Sequence, residues 1–95
     1  MSAEKAMKIE YTVHIWQEGY QFIAHALPLD VASSAFTPEQ ARIALDEAVR
    51  LFLETATECG TLEDVLEDAG YTLQDGQWIS PVWVSIERHS LLVGV

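Results

Sequence analysis

The segment from Thr37 to Gly60 constrains the fold most strongly, because it carries the start and stop signals of a long helix. Thr37 is typical of an N-cap, Pro38 suits the first helical position, and Gln40 follows the cap at capping-box spacing. Gly60 suits the left-handed residue that ends a helix. Apolar residues recur along one face at Ala41, Leu45, Ala48, Val49, Phe52 and Ala56. We therefore predict an amphipathic helix that buries this stripe against another layer.

The residues before this helix predict three β-strands. Lys8 to Gln17 alternates apolar and polar residues, as a half-buried strand does. Glu18-Gly19 is a short turn signal, and Tyr20 to Leu27 is a second strand that makes a hairpin with the first. Val31 to Phe36 is predicted as a short third strand that leads into the helix.

The residues after the long helix predict a shorter helix and more strands. The second helix runs from Thr61, its cap, to Gly70. Asp75-Gly76 is the best hairpin signal in the chain. Alternation from Val82 to Ile86 predicts another strand, and residues 89–95 predict an apolar terminal strand.

Together these elements predict one α+β domain over residues 1–95, with its core in residues 8–88. The order is β-β-β-α-(α)-β, a mainly antiparallel sheet with the long helix packed on one face. A right-handed crossover would bring the later strand beside the first.

The composition is that of a folded and strongly acidic chain. Its 95 residues are 49% hydrophobic, which suits a single domain with one core. The formal net charge is −10, and residues 39–68 hold nine acidic against two basic side chains, a net of −7. Such a surface disfavours nucleic acid, whose phosphates need Lys and Arg. It suits a basic partner protein, or it simply keeps the protein soluble.

Nothing in the sequence predicts membrane contact or secretion. No apolar run approaches the ~20 residues of a spanning helix, and the first residues lack the apolar stretch of a signal peptide. We therefore expect a cytoplasmic protein.

No motif marks a reaction centre. The sequence has no Gly-rich phosphate loop and no HExxH, CxxC or GxSxG pattern, and Cys59 is its single cysteine. His14, His25 and His89 are scattered, and a lone strand histidine is more often a surface or satisfied residue than a ligand. A Mg²⁺-dependent nuclease would need Glu10 to converge with helix acids. The candidates on the helix are Glu39, Asp46 and Glu47. We expect no enzyme, no catalytic residue, no metal and no cofactor.

Exposed aromatic residues and a bare apolar terminus both predict protein contacts. If Val82 and its alternate neighbours face the helix, Trp83 faces away from it, where an aromatic side chain suits a partner. The alternative is that Trp16, Trp78 and Trp83 fill the core, as aromatic residues do in small domains. The predicted partner-binding residues are Trp16, Glu18, Tyr20, Asp30 and Trp83. A terminal strand of this kind is either covered within the fold or pairs with a second copy, and we favour the second, a homo-oligomer that is a dimer or tetramer. Its predicted contact residues are Leu91, Leu92, Val93 and Val95.

A series of short stretches carries a family resemblance. They are the first strand YTVHIW, the second strand EGYQFIAHA, the connection LPLDVASSAF, the helix opening TPEQA and the helix body ALDEAVRLFLETATECG. In this order, over roughly residues 8 to 70, they resemble the HicB-like antitoxin family.

The resemblance implies a partial ribonuclease-H-like fold and a role in a toxin–antitoxin pair. Such a domain binds a small, basic, RNA-cleaving toxin of the HicA type and covers its catalytic histidine. Many members also carry a C-terminal DNA-binding domain, for which we expect this chain to be too short and too acidic, so direct DNA binding is not expected. The alternatives are a self-assembling orphan homologue with no toxin partner and a metal-dependent nuclease.

Overall fold

A computed structural model describes residues 7–94, so residues 1–6 and Val95, one of the predicted self-association residues, lie outside the described range. Within it the elements are, in order, β1 (Thr12–Glu18), β2 (Gln21–Leu27), β3 (Val31–Ala35), α1 (Pro38–Glu58), α2 (Leu62–Ala69), β4 (Thr72–Gln74) and β5 (Gln77–Ile79). The predicted α+β class and the order of strands and helices are confirmed.

The first three strands form an antiparallel sheet in the order β1-β2-β3. A two-residue turn at Gly19 and Tyr20 joins β1 to β2, and it places His14 directly opposite His25. Gly19 has a φ of +60°, a left-handed conformation that glycine adopts without strain. The predicted second strand therefore begins one residue too early, because Tyr20 belongs to the turn.

Helix α1 packs across one face of this sheet and lies mainly over β2 and β3. Ala24 and Ala26 of β2 are completely buried beneath it. The buried residues of α1 are Ala41, Leu45, Val49 and Ala56, as predicted, whereas Ala48 is half-buried. Phe52 is exposed, so its place in the predicted stripe is wrong. The buried face continues instead through Leu53, four residues after Val49.

The ends of the helices follow the predicted signals with one exception. The Thr37 hydroxyl oxygen accepts a hydrogen bond from the Gln40 backbone N–H at 3.1 Å, as an N-cap does. Gly60 and Gly70 both follow their helices with positive φ, at +71° and +103°. The Thr61 side chain does not cap α2, because its hydroxyl donates to the Ala56 carbonyl at 3.3 Å.

Strands β4 and β5 form a separate two-stranded sheet that turns at Asp75-Gly76, as predicted. Trp78 of β5 and the preceding Tyr71 are buried in the core. The Tyr71 hydroxyl donates to the Glu10 carbonyl at 2.5 Å. The hairpin is thus held beside the residues that precede β1, and β5 does not extend the main sheet as the predicted crossover required.

Residues 80–94, which we call the C-terminal tail, contain neither helix nor strand. The predicted strand from Val82 to Ile86 is therefore wrong for the single chain, and the described part of 89–95 forms no strand either. The tail is exposed along nearly its whole length, and the molecule measures 63 × 28 × 21 Å. A strand needs a neighbour to pair with, and the single chain supplies none to these residues within the described range.

Candidate protein-binding surface

The face of the main sheet opposite α1, which we call the outer face, is the candidate site. Side chains alternate between the two faces of a strand, so β1 and β2 each send every second residue to it. Because Ala24 and Ala26 face α1, the outer-face residues are Thr12, His14, Trp16 and Glu18 of β1 and Gln21, Ile23, His25 and Leu27 of β2. The outer face is thus rich in rings and polar groups, whereas the covered face is mainly apolar and has Phe22 as its ring on β2.

His25 lies at the centre of this surface and contacts two of the predicted partner-binding residues. The Trp16 ring meets the His25 ring edge-on, with centroids 6.1 Å apart and an interplanar angle of 90°. On its other side, His25 Nε2 lies 2.7 Å from Asp30 Oδ1. Asp30 occupies the β2–β3 turn with a φ of +63°, and its backbone N–H donates to the Ala26 carbonyl at 2.8 Å. The turn therefore holds an exposed carboxylate beside the paired rings of Trp16 and His25.

His14 links this centre to the C-terminal tail. It stands opposite His25 in the strand register, and the Trp83 ring packs on it with centroids 5.3 Å apart. His14 Nε2 is buried and has no hydrogen-bond partner among the described residues. A buried ring nitrogen without a partner costs roughly 1–3 kcal/mol. Displacing Trp83 would open this nitrogen to water or to a partner's polar group.

The hairpin end carries an indole–carboxylate pair and an exposed tyrosine. The Trp16 indole N–H donates to Glu18 Oε1 at 3.2 Å, which fixes the indole beside a carboxylate. Tyr20 projects from the turn and is almost fully exposed. An amphipathic aromatic ring at a protruding tip is a common anchor in protein interfaces.

The structure brings the predicted partner-binding residues to one side of the molecule. Trp16 and Glu18 adjoin at the hairpin end, Asp30 joins them through His25, and Trp83 reaches the same face through His14. Tyr20 lies beyond them at the tip. Their role in binding stays a prediction.

Comparison of the chain with protein-family models, curated proteins and solved structures gives no match.

His14 and His25 are not among the partner-binding residues that the sequence predicts. Each looks like an isolated strand histidine in the sequence, but the two-residue turn at 19–20 puts them side by side. The alternation of side chains along the first strand is the signal that points to His14, because residues two apart lie on one face and His14 is two residues from Trp16.

The carboxylates that a metal-dependent nuclease would need are the next feature of the structure. Within residues 7–94, no group of three or more His, Cys, Asp or Glu side chains is arranged to hold a metal ion. Asp46 Oδ1 instead accepts a hydrogen bond from the Tyr11 hydroxyl at 2.6 Å. Burial, and then this bond and the charge of Asp46, raise the pKa of Tyr11 to about 12. Burial, followed by the charge of Glu10, also raises the pKa of Tyr71.

Neither helix of the described range is both long and apolar enough to span a membrane.

Proposed function

We propose that this protein is a protein-binding module, a HicB-like antitoxin or an antitoxin-derived binder. Its partner is a small, basic, RNA-cleaving toxin of the HicA type, bound through the outer face. The observation that carries the proposal is the grouping of Trp16, Glu18 and Asp30 around His25. Aromatic anchors bordered by carboxylates suit a partner surface rich in Lys and Arg.

The charge of the whole chain supports the same kind of partner. A net charge of −10 attracts a basic protein over a distance and speeds its association. The attraction falls with ionic strength, because salt screens charges beyond about 8–10 Å. We expect the association rate to decrease as salt is added, while dissociation, governed by the buried aromatic contacts, changes less.

The order of elements adds support from the resemblance. Three antiparallel strands followed by a long helix are compatible with the fold that the HicB-like resemblance implies. The resembling stretches include both strands that build the outer face.

Co-expression and pull-down with the protein encoded next to this one test the proposal. We expect a small, basic neighbour that copurifies and whose RNA cleavage is suppressed. A neighbour that is neither small nor basic, or that does not bind, would contradict the proposal.

A pair of alanine variants shows whether the outer face makes the contact. Trp16 and Phe52 are similarly exposed, at 42% and 38%, but Phe52 lies on α1. We expect Trp16→Ala to weaken toxin binding at least about tenfold, as loss of an aromatic anchor does. Phe52→Ala should change the affinity by less than about twofold. Equal losses in the two variants would place the contact elsewhere.

The second candidate function is a self-assembling orphan homologue that has no toxin partner. The exposed apolar side chains of the C-terminal tail favour it. In that case the purified chain is oligomeric in light scattering and the neighbouring gene product does not bind.

A further inference from the structure

The C-terminal tail has the side-chain arrangement of a strand that lacks its neighbours. The Ser85 hydroxyl donates to Glu87 Oε2 at 2.6 Å, and His89 Nε2 lies 2.8 Å from Glu87 Oε1. These contacts, which also lower the pKa of Glu87, join residues two apart, as extended backbone requires. The polar side chains on one side of the tail thus hydrogen-bond to one another.

The other side of the tail is aliphatic and open to water. Val82, Val84 and Ile86 are 85%, 95% and 71% exposed. Alternation places these three side chains on the side opposite Ser85 and Glu87. A continuous apolar edge of this kind marks a surface that is covered in the functional state.

The unpaired edge of β1 in the main sheet is a place where an extended segment such as the tail could add as a strand. Within residues 7–94, β1 pairs with β2 and with no other strand, so its outer edge keeps free backbone groups. Because α1 lies mainly over β2 and β3, Val13 and Ile15 of β1 are only partly buried. The sheet and helix are therefore open at this side.

An apolar cleft of about 340 Å³ lies between α1 and the segment that leads into β1. We call it the β1–α1 cleft. Its apolar lining consists of Met7, Ile9, Tyr11, Val49, Leu53 and Leu62. A further strand beside β1 would send alternate side chains toward the helix side of the sheet, which is the side of this cleft.

We propose that the C-terminal tail of a second copy of this chain adds a strand to the free edge of β1, with Val82, Val84 and Ile86 covering the β1–α1 cleft. Backbone hydrogen bonds to β1 supply affinity, and the alternate aliphatic side chains fix the register. Each copy gives its tail and accepts the other, which closes a two-fold dimer.

Charge and geometry favour a second copy as the occupant. Two chains of net charge −10 repel one another, but residues 80–94 carry one acid, Glu87, and one base, Arg88, and are formally neutral. The tail is thus a segment that two acidic copies can bring together. Val84 is almost fully exposed while the Trp83 ring rests on His14 of its own chain, so the tail does not fill its own cleft. The inference holds with or without a toxin partner.

Cross-linking of two single-cysteine proteins tests which chain supplies the strand. In a Cys59→Ser background, one protein carries Thr12→Cys in β1 and the other, marked by a mass tag, carries Ser85→Cys in the tail. A short bismaleimide should join the tagged to the untagged chain. Gln74→Cys, on the exposed β4 strand, replaces Thr12→Cys as the control and should give at most a trace. No mixed product, or equal yield from the control, would overturn the proposal even if the chain is oligomeric.

Two aspartate variants test the role of the aliphatic side. Val84→Asp and Ser85→Asp add the same charge at adjacent positions of opposite parity. We expect Val84→Asp to raise the dimer dissociation constant at least about tenfold in sedimentation, because a buried carboxylate is costly. Ser85→Asp should change it by less than about threefold. The helical signal in circular dichroism should match the parent in both, since the tail contains no helix and lies outside the core. Equal effects, or a parent chain that is monomeric, would overturn the proposal.

Discussion

The Tyr11–Asp46 pair shows how one side chain ties the start of the sheet to the helix. Tyr11 immediately precedes β1, and its hydroxyl donates to Asp46 on α1 at 2.6 Å. The phenol is partly buried and faces a carboxylate, so both surroundings favour its protonated form and raise its pKa to about 12. This pair lies along the β1–α1 cleft, where packing is incomplete.

We expect Asp46→Asn to lower the pKa of Tyr11, because the amide removes the negative charge while burial remains. Difference absorbance of the phenolate, against Tyr11→Phe as the blank, measures this in an alkaline titration. Identical titration of the parent and Asp46→Asn would show that the carboxylate does not act on Tyr11.

The raised pKa also predicts how stability depends on alkaline pH. The folded chain keeps the Tyr11 proton up to a pKa of about 12, whereas an unfolded tyrosine releases its proton at the ordinary pKa of 10.0. The unfolded state therefore binds fewer protons in this window, so the free energy of unfolding falls as pH rises from 10 toward 12. Urea unfolding at a series of pH values measures the slope. Asp46→Asn should make this slope shallower, and a steeper slope would contradict the assignment.

Helix α1 packs on the sheet through one apolar stripe. Two leucines of α1, one on the stripe and one outside it, distinguish the contribution of burial from that of helix propensity. Leu45 is completely buried under the sheet, while Leu51 is exposed. Both positions lie well inside the helix, so the intrinsic preference for helix changes equally on substitution.

We expect Leu45→Ala to lower the free energy of unfolding by about 2–5 kcal/mol, because it removes buried methyl groups and leaves a cavity. Leu51→Ala should change it by less than about 0.5 kcal/mol, as exposed positions do. Urea denaturation of the two variants and the parent gives the comparison. Similar losses would mean that α1 packs through another face.

Elements with local signals were predictable, and those that depend on tertiary packing were not. The Thr37 cap, Gly60, Gly70 and the Asp75-Gly76 turn act within a few residues, and the structure has them where the sequence predicts. The position of Phe52 is not predictable from the stripe alone, because the buried face follows the position of α1 over the sheet. The strand predicted from Val82 to Ile86 is absent from the single chain, because alternation indicates an apolar side but not which chain covers it.

The candidate surface was predictable to the extent that strand parity determines it. Trp16 and Glu18 share the outer face by alternation alone. Trp83 on His14 was not predictable, since this packing depends on the path of the tail after Pro81.

On the scale of the whole molecule, acidic charge and an exposed tail are two separate properties. The charge resides mostly on the helical half, where residues 39–68 carry a net of −7. The tail is neutral and largely aliphatic. Salt should therefore weaken binding of a basic partner and, by screening repulsion between copies, strengthen self-association.

We expect replacement of Leu91, Leu92 and Val93 by serine to weaken the dimer at least about tenfold, because these exposed side chains are among those predicted to be covered. Light scattering over a dilution series measures the change. Replacing Arg88, His89 and Ser90 by glutamine is the matched control and should leave the mass nearly unchanged. An unchanged mass after the serine replacements would exclude residues 91–93 from the contact.

Trp83 lies on the same tail as Val82 and Val84 but on the opposite side, against the outer face. In a dimer built by tail exchange, the contact of Trp83 with His14 would form between two chains instead of within one, so each copy's outer face would carry its companion's indole. A Trp83→Ala allele expressed beside the wild-type gene would then impair wild-type subunits in mixed pairs, and the defect would be inherited as dominant.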